Sequence, residues 1–289
     1  EWCPEPPAAP LAHANTAISR HATLPDCGLR LRDAGEGDLV LESESLLLPP
    51  AAVDAATRAA AELNVPLVRV LSQLANRIER IEADPAGRSV PYSTVAAIDR
   101  LDALPLADSP TAPQLAAGEI LLNAWAAERL AARSGERVRL TYYVVGPFGT
   151  LSEESAEFTL RGVVPLRERG ADPDWVPEYR GITDARGIAD WDPPFPIDLR
   201  AVGDDDERYW DDYRTTPKAF VSLEDGRRLW ADRADTLGEL TSLRLLAGQH
   251  AGLLRDEFAH RLLTHLDTAA LGLRFEPVRL AALTSSEGS

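Results

Sequence analysis

Between Gly118 and Leu166 the apolar period of this chain changes twice, and few folds accept that order. Gly118-Glu119-Ile120-Leu121-Leu122 is a short apolar run and reads as a buried strand. Asn123 stands where a helix N-cap belongs, and Trp125, Ala126, Leu130 and Ala131 follow at helical spacing. Gly135 is placed to close that helix in a left-handed conformation. From Arg137 to Val145 the period becomes two: Val138, Leu140, Tyr142 and Val144 share one face, Arg137, Arg139, Thr141 and Tyr143 the other. Gly146-Pro147-Phe148-Gly149 supplies a turn, and an alternating run returns with Phe158, Leu160 and Val164 opposed to Glu157, Thr159 and Arg161. The unit predicted is strand, helix, strand and hairpin return.

The flanks repeat this vocabulary. Gly28 to Arg32 and Asp38 to Ser43 alternate around Gly35-Glu36-Gly37, a hairpin signal. Pro49-Pro50 opens an Ala-rich helix to about Leu63, since proline is tolerated at the first helical position. Pro66 to Ile81 reads as a strand with Val68, Val70 and Leu74 inward, and Val90 to Leu101 as another. Residues 102 to 117 hold three prolines and read as a linker. After Phe220-Val221, Ser222 and Asp225 form an approximate capping box for a helix through Trp230. Leu240 to Leu246 alternates, and His250 to Leu266 places Leu254, Phe258, Leu262 and Leu266 on one helical face. Leu271 to Leu280 alternates again. Two β–α–β passages, over 38–82 and 240–280, therefore bracket a middle insertion. The fold class expected is α+β with two lobes. A βαβ-containing lobe comes from residues 28–101 and 239–283, and a mostly β lobe, 102–238, is inserted between them. Residues 1–27 read as a tail or short helix, and 165–217 as a long, partly ordered Pro/Trp-rich loop.

Charge narrows the function. A net charge of −16 over 289 residues opposes nucleic acid, which needs a basic face, and opposes an anionic membrane surface. No apolar run approaches the roughly 18 residues of a membrane span. The chain begins at Glu1 and contains no methionine, so it reads as a segment or a processed product.

Chemistry-bearing patterns are sparse. Cys3 and Cys27 are either a bridge clipping the tail to the first strand or two unpaired thiols. His260 and His265 are five apart and do not share a helix face, so no metal site is expected. Ser93 lacks the glycines of a nucleophile elbow. Gly35 and Gly37 lack the rest of a phosphate cradle, so no nucleotide or other cofactor is expected. The run Asp204 to Glu207 lacks calcium-loop spacing and reads as a solvated acidic loop. The aromatic cluster is more suggestive. Trp191 and Phe195 on a proline-stiffened backbone, with Tyr209 and Trp210 on a short helix, could contact a substrate or partner, or plug the molecule's own core.

Several of these stretches also carry a resemblance. Gly118-Glu119 before an apolar strand, Ala127 and Leu130 on a helix, Gly135-Glu136 before a strand and Phe158-x-Leu160-x-Gly162-Val163-Val164 occur in order. With Pro91-Tyr92-Ser93-Thr94, Thr216-Pro217-Lys218-Ala219-Phe220-Val221 and Leu240-Thr241-Ser242-Leu243-Arg244-Leu245, the chain resembles, over residues 28–289, the extracytoplasmic domain of FtsX/MacB-type ABC transporter permeases. That resemblance implies a non-catalytic periplasmic domain of a bacterial inner-membrane protein. Its partners would be the permease's own transmembrane helices, a separate cytoplasmic ATP-binding subunit and, beyond these, a second protomer or a periplasmic adaptor. It carries over no catalytic residue. The competing readings are a periplasmic module closing on a ligand between two lobes, and an acidic hydrolase supported by composition alone.

Overall fold

The structure is a computed structural model describing residues 20–81, 88–106, 114–145, 150–192, 195–230 and 239–273, with isolated positions 13 and 17. Its organising element is strand β3 (Leu67–Arg80), fourteen residues long. The first half of β3 pairs antiparallel with β9 (Ser242–Leu245), Leu67 opposite Leu245 and Val70 opposite Ser242. The second half pairs with β6 (Arg137–Val145), Ile78 opposite Leu140. An irregularity between Ala75 and Arg77 leaves Asn76 as an extra residue. Such a bulge bends a strand and raises its twist, which lets β3 leave one sheet and join another wall.

On one side of β3 lies an open wing. The hairpin β1 (Leu29–Ala34) and β2 (Asp38–Ser43) turns at Gly35-Glu36-Gly37 as the sequence predicts, and β2 pairs with β9. On the other side the sheet closes on itself. β3 pairs with β4 (Ser89–Ile98), then β8 (Ala219–Ser222), β5 (Glu119–Asn123), β7 (Leu151–Val164) and β6, which returns to β3. These six strands form a barrel within a nine-stranded sheet. The fold is therefore mixed α+β. The hydrogen-bonded ladder crosses both expected lobe boundaries, because β3 and β4 from residues 67–98 serve as staves beside β5 to β8.

The unit from Gly118 to Val164 folds in the predicted order. Asn123 caps helix α2 (Ala124–Leu130) by accepting from the Ala126 amide at 2.8 Å. Asn123→Ala should cost about 1–2 kcal/mol in a denaturant titration, through the lost cap and the lost bond to Tyr209. The far end of the helix differs from expectation. It stops at Leu130, with Ala131 taking the left-handed position at φ 48°. Gly135 at φ 92° instead shapes the turn into β6. Ala132, just past the helix, is buried.

Two helices cover one face of the wing. α1 (Pro50–Glu62) buries Ala52, Ala55, Ala56, Ala59 and Ala60, one small-residue stripe at steps of three and four. α5 (Ala251–His265) buries Phe258 and Leu262 against the same core, and Arg261 and His265 reach Glu62 at 2.8 and 2.9 Å. Between them in sequence lie α3 (Asp204–Tyr213) and α4 (Leu223–Trp230). Ser222 and Asp225 form the predicted cap on α4, the Asp225 amide donating to Ser222 at 3.0 Å. The predicted alternation of Leu271 to Leu280 is not a strand at its start, where Thr268–Leu271 forms a 3-10 turn. Its remainder from residue 274 lies outside the described residues.

The other face of the sheet is covered by residues 165–192 and 195–217. Here, where a long, partly ordered loop is expected, the chain forms 3-10 turns and a helix. Trp175, Ile182, Ile188, Trp191, Tyr209 and Trp210 are buried within the cover. The predicted linker also contributes: Leu101–Ala103 is a 3-10 turn with Leu101, Ala103 and Leu104 buried. Enough apolar side chains are interleaved with the prolines to hold a third layer down.

Candidate functional site

Beneath the cover lies a seam of buried charge. Asp38 and Glu42 on β2, Arg30 and Arg32 on β1, and Arg244 on β9 share the sheet face opposite the helices, because their registers align: Arg32 with Val40, and Val40 with Arg244. Arg244 is fully buried. Its Nε donates to Asp38 at 2.8 Å and its Nη2 to the Gly35 carbonyl at 3.0 Å. Nη2 also donates to Asp172, which belongs to the cover. Arg169 of the cover clamps Asp38 from above through two bonds, at 2.7 and 3.0 Å. Arg32 bridges Glu42 at 2.7 Å to Asp174, again in the cover. At its exposed rim Arg30 joins the buried Glu42 at 3.0 Å to the exposed Glu178 at 2.8 Å.

Each acid of the seam meets at least one arginine, which is the condition for keeping charge inside a protein. Trp175 lies over the centre. The Arg244 guanidinium sits 4.4 Å from its ring centroid, and its indole N–H donates to the Arg169 carbonyl at 2.6 Å. The hydrogen bonds of Asp38 raise the Arg169 pKa above the ordinary range. Burial opposes the charge on Arg32, yet Glu42 and Asp174 together push its pKa up. Burial dominates at Asp174 and raises its carboxyl, with Arg32 pulling the other way. A Cβ on Gly35 would crowd the Asp172 carboxylate, which Arg244 holds in place, so a larger residue there must displace the cover's edge. Gly35→Ala should loosen the seam and cost about 1–3 kcal/mol, read as a shifted denaturation midpoint.

A second polar cluster pins the far end of the cover. Lys218, the one lysine in the chain, is buried at the start of β8. Its Nζ lies 4.8 Å from the ring centroids of both Trp125 and Tyr209, and 3.9 Å from Asp206. Asp206 also accepts from the Gly203 amide at 3.0 Å, closing the first turn of α3. The Tyr209 hydroxyl accepts from Asn123 at 2.7 Å and donates to the Thr216 carbonyl at 3.0 Å. Burial lowers the Lys218 pKa from 10.5 to about 8, against the pull of Asp206. The unfolded chain therefore binds more protons between those two values, and stability should rise as pH climbs from about 8 to 10.5. The full rise amounts to about 3 kcal/mol. Melting curves of Lys218→Met across that window should lack it.

The predicted contact residues fall mostly inside. Trp191 is 7% exposed and meets Trp210 edge-on at 5.2 Å between centroids. Trp210 donates to the Arg186 carbonyl at 3.0 Å and carries the Arg214 guanidinium 4.5 Å above its ring. Tyr209 is buried in the lysine cluster. Phe195 is half-buried, its ring 6.1 Å from Tyr143. Of the two readings the sequence left open, contact surface or core plug, burial of Trp191, Tyr209 and Trp210 fits the second: they form the cover's own core. The acidic run is likewise structural. Glu207 accepts from the Ile188 and Ala189 amides at 3.1 and 3.0 Å, and Asp205 pairs with Arg129 at 3.0 Å. Four acids in the first turn suit the positive end of α3.

Cys27 is buried, and burial raises its thiol pKa; Cys3, the other half of the possible bridge, lies outside the described residues. Among the described residues no three His, Cys, Asp or Glu side chains are grouped to hold a metal, and no helix is long and apolar enough to cross a membrane. Sequence reasoning missed the seam. The signal was present as Arg244 between Leu243 and Leu245, and as Asp38 and Glu42 flanking Leu39-Val40-Leu41. Charges inside such apolar strands need partners. No protein-family model matches the chain, and no characterised protein matches it.

Proposed function

We propose that this chain is the non-catalytic extracytoplasmic domain of an FtsX/MacB-like ABC transporter permease. It transmits ATP-driven motion of transmembrane helices to a substrate or partner outside the cytoplasm, in export or lipoprotein release. The observation that carries the reading is the double membership of β3. One strand belongs to the wing through β9 and to the barrel through β6. A push on the wing reaches the barrel along a continuous hydrogen-bonded strand, and the charge seam ties the cover to the same wing.

In this reading the wing, with α1 and α5, is the membrane-proximal lobe of both chain ends, and the barrel with its cover is the distal lobe. The two share a strand where a linker was expected. Its partners are the transmembrane helices of the same permease and a cytoplasmic ATP-binding subunit, with a second protomer or a periplasmic adaptor at the distal end. The reading frame of the gene tests this. Apolar segments of about 18 residues or more should flank the sequence, beside an ATPase gene. A frame encoding neither segment would overturn it.

The alternative is a periplasmic ligand-binding module. It has one observation on its side, a cleft of about 630 Å³ between the end of β4 and the start of α4. Its walls mix Leu101, Leu115 and Leu223 with Asp99, Arg100 and Arg227, where a ligand site would be largely apolar. A small molecule that raises the melting temperature and is lost with Leu115→Asp would favour this alternative.

A further inference from the structure

The barrel wall has one open seam. β7 is fourteen residues long, but β5 pairs only with its second part, from Thr159 to Val164. From Leu151 to Glu157 β7 is bonded to β6 alone. The direction of each main-chain group follows from the ladder. The Thr159 amide points toward the β5 side, donating to the Gly118 carbonyl at 2.8 Å. The Leu160 amide points the other way, donating to the Glu136 carbonyl at 2.8 Å. The β6–β7 register runs without a shift from Leu151 to Thr159. The amides and carbonyls of Leu151, Glu153, Ser155 and Glu157 therefore all face the open side. Among the described residues none of these groups has a partner there, and residues 151 to 155 are all exposed.

The edge is acidic on both faces. Phe158 and Leu160 point into the barrel, so Glu153 and Glu157 project outward and Glu154 projects on the inner side, beyond the packed core. Glu157 is already paired with Arg137 and Arg139, and Asn76 holds Glu153 from the β6 side at 2.7 Å, so the acid left for the open edge is at its free end, Glu153 and the exposed Glu154. A second copy of this chain is a poor occupant. Antiparallel self-pairing would set these glutamates against one another, between two bodies each carrying −16.

We propose that the Leu151–Glu157 edge of β7 docks an extended segment of a partner protein that carries Lys or Arg on both faces. The segment adds a strand beside β7 over about 23 Å, the length of seven extended residues. The main chain supplies the bonds, and Glu153 and Glu154, one on each face, select a basic strand and reject the domain's own kind. The proposal stands apart from the permease reading, since it needs only this edge.

The test uses a blocked nine-residue peptide of alternating Lys and Thr/Val, with a control of the same composition interrupted by a central Pro-Gly. Hydrogen exchange should slow at the amides of Leu151, Glu153, Ser155 and Glu157 with the first peptide only. Ser155→Pro removes one edge donor and leaves the β6 ladder intact. It should weaken binding about tenfold, the equivalent of one well-made hydrogen bond. Should that variant fail to fold, the double change Glu153→Lys and Glu154→Lys should abolish binding of the same peptide. Equal binding of both peptides, protection elsewhere on the surface, or a dimer of the chain through this edge would each overturn the proposal.

Discussion

Arg244→Met lowers stability by about 3–5 kcal/mol, the cost of leaving the buried Asp172 without its cation and Asp38 with Arg169 alone. Asp38 and Asp172 would both lose a bond, and neither has room to reach water. For a chain of 289 residues that loss moves the melting temperature down by roughly 5–8 °C. The sign is not a matter of the arginine's own worth, since a buried ion pair adds little over an apolar substitute. Adding Asp172→Asn to Arg244→Met should therefore recover part of the loss, because the one uncompensated charge disappears with the cation, while Asp38 keeps Arg169. Thermal melts of the single and double variants decide between a charge seam and a mere packing site. Equal stability of wild type and single variant would remove the seam from the account.

Trp175→Ala is the second large effect. The ring is fully buried, lies edge-on to Phe220 at 6.2 Å between centroids and covers the Arg244 guanidinium. Truncation leaves a cavity in a layer that is otherwise turns, at a cost of about 3–5 kcal/mol. The cover should loosen before the barrel does, because the ladders of β3 through β8 do not pass through Trp175. Limited proteolysis should then cut first between residues 165 and 217, while barrel amides stay protected from exchange. Simultaneous loss of both layers would show that cover and barrel unfold as one unit.

Local structure was readable wherever period and punctuation agreed. The hairpin at Gly35-Glu36-Gly37, the proline-opened helix α1 and the Asn123 cap follow from short-range chemistry that tertiary contacts did not override. The Ala131 cap was hidden, because a non-glycine residue adopts φ 48° only when the surrounding packing imposes it. Barrel closure was also hidden. It depends on β3 meeting β6 some sixty residues away, and no local pattern states a pairing partner. The aromatic cluster shows the limit differently. Composition found Trp191, Tyr209 and Trp210, but it could not say whether they face solvent or one another. The seam was legible only as misplaced charges, and its geometry required two distant strands and a cover to be laid together.

The account's central claim is that wing, barrel and cover move as one body. Its most direct test places one nitroxide at the exposed Leu253 of α5 and another at Ser152 on the β6–β7 hairpin, with the distance measured by pulsed electron resonance. The account predicts a single narrow distribution in the unmodified background, broadened in the Arg244→Met variant. Two interconverting distances in the unmodified chain would contradict it.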